Sequence, residues 1–263
     1  MKHNIKIISL IVLLFLLAQF MGLYISHIYS SKDLPLNLEK PKFEAKSSAL
    51  SIFSSILIAT LLAFALVKFK AEKLWKFWFF ISVCFSLLIS LSAFFSQEIA
   101  LVFALVLTYF KVMKHNVIIH NLSELFIYGG LAALFSESLS VFSVSILLIL
   151  ISIYDMIAVW QTKHMIKLAQ FQTKLNLFAG ILIPYKEKKK ERTALLGGGD
   201  IGFPLLFAAA VLKSFGLKAL IIPITTSILL VMLFMFGKNN KFYPAMPFLS
   251  IGCFLGYMLV LLL

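Results

Sequence analysis

The chain has 263 residues, of which 61% are apolar and 13% are charged. Soluble domains are about 45–50% apolar and about 25% charged, so this composition excludes an ordinary soluble domain and a disordered chain. The formal net charge of +13 would suit a nucleic-acid-binding protein. The lysine and arginine residues, however, lie between long apolar stretches, where they indicate membrane orientation. We therefore expect an all-α, multi-pass protein of the lipid bilayer, with no nucleic acid among its partners.

Nine apolar stretches predict nine membrane-spanning helices, because about 20 apolar residues cross the hydrocarbon core of a bilayer. The predicted spans, in chain order, are Ile7–Tyr29, Ala49–Val67, Phe77–Ser96, Ile99–Met113, Val117–Phe135, Leu139–Trp160, Thr193–Leu212, Ala219–Phe236 and Tyr243–Leu263. The fourth span is short, at 15 residues. It is retained because omitting it would place the most basic connection outside the cell.

The basic residues predict the orientation of the nine spans. With the N-terminus inside, 18 lysine and arginine residues fall on the cytoplasmic side and six on the outer side. Cytoplasmic loops carry the excess of basic residues, so we expect a cytoplasmic N-terminus and an outer C-terminus. One membrane domain would then have three parts, namely six helices in 1–160, a cytoplasmic amphipathic and basic loop in 161–192, and three helices in 193–263.

The long loop contains apolar residues at spacings of three and four. The spacing predicts one helical face, formed by Leu168, Phe171, Leu175, Phe178 and Leu182. The basic residues that follow suit an anionic cytoplasmic leaflet. This segment is expected to lie on the membrane surface, with a plug over a site below it as the alternative.

Three carboxylates are embedded in predicted spans, namely Glu124, Asp155 and Asp200. Charges inside a membrane are costly, which makes such residues candidates for a functional site. Asp155 lies near the cytoplasmic end of the sixth span and Asp200 near the cytoplasmic start of the seventh, both roughly 8–10 Å deep at 1.5 Å per residue. Facing carboxylates would share one proton, so that one acts as a base and the other as an acid on water. Hydrogen bonding between helices and a proton or cation pathway are the alternatives.

Irregular backbone is predicted in the same membrane layer. Glycine disfavours the helix interior, so Gly197–Gly199 before Asp200 indicates locally unwound backbone. The segment Tyr243–Pro247 contains two prolines, which lack backbone N–H groups. Two further features have simpler interpretations. Glu124 and His120 are expected to form an internal polar pair, with water or proton access as the minority alternative, and Gly252 and Gly256 predict close helix packing.

Three motifs carry a resemblance to a known family. Tyr154-Asp155, Gly197-Gly198-Gly199-Asp200 and Pro244-Ala245-Met246 resemble the Y-D, G-x-G-D and P-A-L motifs of the presenilin and signal peptide peptidase family of intramembrane aspartyl proteases. The nine spans resemble that family's topology. The stretch 154–165 is most similar to archaeal presenilin homologues, which favours a prokaryotic cell membrane. Met246 replaces the leucine of P-A-L, and we expect activity to be retained because the two side chains have similar volumes.

The resemblance implies an aspartic endopeptidase that cleaves transmembrane helices of other membrane proteins. Asp155 and Asp200 would be catalytic, with no metal and no cofactor. Substrate positioning would fall to Leu196, Gly197, Gly198, Gly199, Pro244, Ala245 and Met246. Tyr154 would orient the site, or would serve only as an interfacial anchor. A proton-coupled transporter or channel and a catalytically silent scaffold are the alternatives, and a prepilin-peptidase-like enzyme fits less well. Homo-oligomerisation is left open.

Overall fold

A computed structural model describes residues 5–41, 48–69, 71–114, 116–135, 138–187, 190–237 and 243–263. Within these ranges the chain forms nine apolar helices, one amphipathic surface helix and one β-hairpin. The elements are α1 Ile5–Ile28, α2 Ser48–Lys68, α3 Glu72–Leu91, α4 Gln97–Val112, α5 Val117–Phe135, α6 Val141–Met156, α7 His164–Lys174, β1 Gly180–Glu187, β2 Lys190–Gly197, α8 Gly198–Phe215, α9 Ile221–Phe236 and α10 Met246–Leu262.

The helices have the length and hydropathy of membrane spans. Six segments of the described chain are long and apolar enough to cross a bilayer, and the longest contains both α8 and α9. Helix α10 is also apolar but shorter, at 17 residues. These findings confirm an integral, multi-pass helical membrane protein. The orientation of the helices stays a prediction.

Most predicted spans match the observed helices, with small shifts at their ends. The fifth span has the predicted bounds, Val117–Phe135. Helix α3 runs over Glu72–Leu91 instead of Phe77–Ser96. Its first turns include charged residues that a search for apolar stretches leaves out, although backbone hydrogen bonding continues through them.

The segment after α6 differs from the prediction. The helical face expected to reach Leu182 ends with α7 at Lys174, because Asn176 adopts a φ of 56°, which favours the end of a helix. A two-stranded antiparallel hairpin follows, in which Ile181 pairs with Leu196. Ile181 and Ile183 are buried at alternate positions, as in a strand with one covered face.

The hairpin also changes the start of the seventh span. The expected span began at Thr193, but β2 continues to Gly197 and α8 begins at Gly198. The unwound backbone predicted for the glycine run is therefore observed only at Gly197, which has extended dihedral angles of −65° and 151°. Gly198 and Gly199 form the first turn of α8, so Asp200 lies in that turn.

Glycines allow the helices to approach closely at two crossings. A β-carbon on Gly252 would lie 2.7 Å from the Thr226 Cα, and one on Gly256 would lie 2.9 Å from the Ile222 Cα. The predicted close packing at these two glycines is thus confirmed, between α10 and α9. Gly22 in α1 and Gly129 in α5 make a similar crossing, where a β-carbon on Gly129 would lie 3.3 Å from the Gly22 Cα.

Helices α6, α8 and α10 contact one another in all three combinations. They bury much of one continuous apolar core, which includes Leu147, Phe207 and Leu249. The hydroxyl groups of Ser152 and Ser250 are 2.8 Å apart and join α6 to α10 within this core. The three motif segments begin or end at this three-helix junction.

Candidate active site

Asp155 lies in the last α-helical turn of α6, two residues before the helix changes to a π-helical turn at Ile157–Gln161. Single π-helical turns within α-helices are frequent at functional sites. The Asp155 side chain is half-buried. It faces the start of α10, and the backbone N–H of Met246 donates a hydrogen bond of 3.1 Å to its Oδ2 atom.

The Pro244–Met246 segment supplies backbone donors to this carboxylate. Tyr243 and Pro244 precede the helix in non-helical backbone, and α10 begins at Met246. The N–H groups at a helix start have no partner within the helix, so they are available to an acceptor. Asp155 uses the Met246 N–H in this way, and the Ala245 backbone also interacts with its carboxylate. The Tyr154-Asp155 and Pro244-Ala245-Met246 motifs are thereby joined by a direct bond.

Asp200 is placed by the end of the hairpin and the first turn of α8. Its Oδ2 atom would lie 3.2 Å from a β-carbon on Gly197, and the Gly197 backbone hydrogen-bonds to the Asp200 carboxyl group. Helices α6 and α8, which carry Asp155 and Asp200, contact each other. Pro204 has no N–H to donate to the Asp200 carbonyl four residues earlier, which weakens the helix just after this turn.

The hairpin holds the backbone at the start of the glycine run in a defined position. Gly180 pairs with Gly197 in the register of the two strands. Gly180 has a φ of 140°, and a β-carbon there would lie 2.2 Å from the Leu196 carbonyl oxygen, so only glycine fits this position. The Gly198 N–H donates to the Ala179 carbonyl at 3.0 Å. Leu196 itself is buried, while Gly199 is exposed.

Tyr154 points away from this junction, towards α7. Its hydroxyl lies 2.9 Å from Nε2 of His164, while Nδ1 of His164 bonds to the Thr162 hydroxyl. The Tyr154 ring also makes an edge contact with Phe53 of α2. Burial lowers the pKa of His164 below its usual value of 6.5. Tyr154 therefore ties the end of α6 to α7 and α2, beyond the interfacial anchoring considered from the sequence.

A buried cation was missed by the sequence analysis. Lys111 is one of the basic residues expected at the cytoplasmic side, but its Nζ atom lies inside the protein, 2.5 Å from Oε1 of Glu124. Nζ also lies 3.0 Å from Nδ1 of His120, so the predicted polar pair of His120 and Glu124 has Lys111 between its members. The available signal was the embedded Glu124 itself, because a buried carboxylate needs a cation nearby.

Residues for a metal site are not grouped together in the described chain. Among the residues that the structure describes, no group of three or more histidine, cysteine or acidic side chains is arranged to hold a metal ion. Asp155 and Asp200 are instead accompanied by backbone N–H groups of Gly197, Ala245 and Met246. The site thus offers two carboxyl groups and backbone donors.

Comparisons with known proteins match this architecture. A family model described as signal-peptide peptidase, presenilin aspartyl protease covers residues 11–263. Two crystal structures of a presenilin family intramembrane aspartate protease, in space groups C222 and P2, have TM-scores of 0.66 and 0.69 with 20% sequence identity. They cover 94% and 96% of both chains, respectively. No curated protein sequence matches the chain. Because the family model covers nearly the whole sequence, the chain belongs to the signal-peptide peptidase and presenilin family of aspartyl proteases.

Proposed function

We propose that this protein is an intramembrane aspartic endopeptidase, in which Asp155 and Asp200 together activate a water molecule. The observation that supports this most strongly is the mutual packing of α6, α8 and α10, which begin or end at the three motifs, together with the Met246 N–H bond to Asp155. Two carboxyl groups at close range cannot both ionise, so the pair holds one shared proton and offers a base beside an acid.

The reaction then follows from this acid and base. The ionised carboxylate removes a proton from water as the water oxygen attacks the scissile carbonyl carbon. The protonated carboxyl group donates to the carbonyl oxygen, giving a tetrahedral intermediate. When the C–N bond breaks, the carboxyl group that received the water proton donates it to the leaving nitrogen, and the other carboxylate takes a proton back from a hydroxyl group of the intermediate. The products are a new carboxyl terminus and a new amino terminus. The two aspartates act as one titrating unit, so neither is assigned a fixed role at the start.

Backbone hydrogen bonds support the roles of the two acids. The Met246 N–H donates to Asp155 at the start of α10, where the helix dipole favours negative charge. Asp200 has the Gly197 backbone as its partner. Residues Pro244, Ala245, Gly197 and Met246 thus act through backbone geometry, which tolerates leucine or methionine at position 246.

The substrate class proposed is a transmembrane helix of another membrane protein. A helical peptide bond is protected by its own hydrogen bonds, so the substrate must adopt an extended conformation first. Strand β2 pairs with β1 along one edge, and an extended segment could add to the other edge near Leu196 and Gly197. Exposed Gly199, which has no side chain, permits close approach of that segment to Asp200.

The setting proposed is a prokaryotic cell membrane, from the resemblance of stretch 154–165 to archaeal homologues. A transporter or channel function would use the same embedded carboxylates as a relay. No observation in the described chain favours that alternative, and the family is a family of proteases.

A cleavage assay tests this proposal. The purified protein, in mild detergent, is incubated with a fluorogenic transmembrane peptide, and the products are identified by mass spectrometry. The proposal predicts two products whose new termini lie within the apolar stretch. Cleavage confined to the flanking polar residues, or no cleavage of several such peptides, would contradict it.

A further inference from the structure

A second group of charged side chains is buried beside the proposed active site. Lys111 of α4 and Glu124 of α5 form an ion pair of 2.5 Å, and their side chains are only 1% and 2% exposed. Replacing a buried ion pair by apolar residues of similar size is often neutral or stabilising, so stability alone does not explain the presence of this one. The groups that contact the ion pair indicate another role for it.

Tyr128 extends the pair towards α8. It lies one helical turn after Glu124 on α5, and its hydroxyl donates to Oε2 of Glu124, while Oε1 accepts from Lys111. Both carboxylate oxygens of Glu124 are therefore used. Lys111 holds the carboxylate on one side, and the carboxylate in turn fixes the direction of the Tyr128 hydroxyl.

Tyr128 packs directly on the first turns of α8. A β-carbon on Gly198 would lie 2.8 Å from Oη of Tyr128, and one on Gly202 would lie 3.7 Å from its Cδ1 atom. Asp200 stands between these two glycines in the sequence, within the first turn of α8. The variable position x of the G-x-G-D motif is Gly198 in this chain. Because Gly198 has no side chain, the Tyr128 ring can pack against the backbone there.

The same part of α5 also holds the hairpin. Nε2 of His120 lies 2.8 Å from the Gly180 carbonyl oxygen; because a carbonyl only accepts, Nε2 carries the proton and Nδ1 accepts from Lys111. Asn121 makes two bonds to the backbone of Leu182, as a donor at 2.8 Å and as an acceptor at 3.0 Å. Helix α5 thus contacts both strand β1 of the hairpin and helix α8, whose first turn contains Asp200.

We propose that Lys111, Glu124 and Tyr128 form a positioning network that holds the first turn of α8, and with it Asp200, at the distance from Asp155 that hydrolysis requires. The inference rests on the proposed protease function and adds residues that touch neither the substrate nor the reacting water. The network acts through contact with Gly198, and its essential element is the Tyr128 hydroxyl with its acceptor on Glu124. The charges of the pair serve to fix that acceptor.

Removal of the hydroxyl alone is the first test. Tyr128→Phe keeps the ring against Gly198 and Gly202 but loses the bond to Glu124. Because misplacement of a reacting group by about 1 Å can reduce a rate by about 100-fold, we expect kcat to fall by about 10- to 100-fold with KM changed less than about twofold. Tyr109→Phe, at an exposed position of α4, is the matched control and should keep the parent values. Equal kcat for Tyr128→Phe and the parent would overturn the proposal.

Two paired replacements separate positioning from stability. Lys111→Met/Glu124→Gln removes both charges but leaves an amide oxygen to accept from Tyr128. Lys111→Met/Glu124→Leu removes both charges and the acceptor. The Gln pair should keep Tm close to that of the parent, since it leaves no isolated buried charge. The Leu pair should lower Tm moderately, because the buried Tyr128 hydroxyl then has no acceptor. The Gln pair should retain kcat within about threefold, while the Leu pair should lose it as Tyr128→Phe does. Equal kcat for the two pairs would contradict the role of the hydroxyl acceptor.

A measurement without catalysis keeps this inference distinct from the proposed function. Hydrogen–deuterium exchange of the peptide covering 197–203 reports the first turns of α8. Exchange there should be faster in Tyr128→Phe and in the Leu pair than in the parent, and unchanged in Tyr109→Phe. If exchange changes in this way but the parent protein cleaves no peptide, the protease proposal is wrong and the structural role of the network still holds. Unchanged exchange in Tyr128→Phe would overturn the network itself.

Discussion

The backbone N–H of Met246 donates to the carboxylate of Asp155 at 3.1 Å, across 91 positions of sequence. Met246 is only 3% exposed, so its side chain packs in the core while its N–H donates to the carboxylate. Because the bond belongs to the backbone, it does not depend on the identity of the side chain. The two properties of this residue can be separated by substitution.

Met246→Leu keeps the backbone donor and nearly the same volume. We expect cleavage to be retained and the free energy of unfolding to change by less than about 1.5 kcal/mol, as for other volume-conserving replacements in a core. Thermal unfolding and the peptide assay measure the two quantities. Loss of cleavage with Tm unchanged would show that the methionine side chain has a direct role in the site.

The crossing of α9 and α10 depends on two glycines. Gly252→Val would place side-chain atoms against the Thr226 backbone, where even a β-carbon would be 2.7 Å away. Overpacking of this kind costs about 1–3 kcal/mol, so Tm should fall. Ile251→Val, at the adjacent exposed position, is the control and should change Tm little. A Gly252→Val protein as stable as the parent would show that the two helices can separate without cost.

Asn121 of α5 binds the hairpin through two hydrogen bonds to the backbone of Leu182. Asn121→Asp replaces the donor by a second acceptor, which then faces the Leu182 carbonyl. A lost hydrogen bond costs about 1 kcal/mol, and we expect faster hydrogen exchange of the 181–183 amides together with slower cleavage. Peptides from α9 and α10 provide an internal control. Unchanged exchange in the hairpin would show that its own strand pairing is sufficient.

His164 makes the contact of α7 with Tyr154 sensitive to pH. Burial lowers the pKa of His164 below 6.5, so the folded protein disfavours the protonated form. The unfolded chain then binds more protons as the pH falls below 6.5, and stability decreases until the folded pKa has been passed. Over this range, Tm of the parent should fall more steeply than Tm of His164→Gln.

The histidine control is His27→Gln, at an exposed position near the end of α1. It should follow the parent over the same pH range. Parallel curves for the parent and His164→Gln would contradict the assigned effect of burial at His164.

The helices could be predicted from the sequence because length and hydropathy alone identify a span. Val117–Phe135 has the predicted bounds for this reason. The depths of Asp155 and Asp200 predict that both lie in one layer of the membrane, and helices α6 and α8, which carry them, contact each other. The backbone bond from Met246 to Asp155 could not be foreseen, since it depends on where α10 begins.

The hairpin was missed because its apolar residues satisfy two periodicities. Leu182 continues the helical spacing of Leu168 and Leu175, while Ile181 and Ile183 fit a strand with one buried face. The positive φ value at Asn176 decides between them by ending the helix. Lys111 was missed for a different reason, because lysines near span ends ordinarily extend to the interface.

The most direct test of the account replaces each of the three aspartates of the chain by asparagine in the peptide cleavage assay. Asp155→Asn and Asp200→Asn keep the side-chain shape but remove the acid and base, and each should abolish cleavage while Tm stays near that of the parent. Asp33→Asn, in the exposed loop after α1, is the matched control and should cleave at the parent rate. Cleavage that survives either of the first two substitutions would contradict catalysis by the aspartate pair.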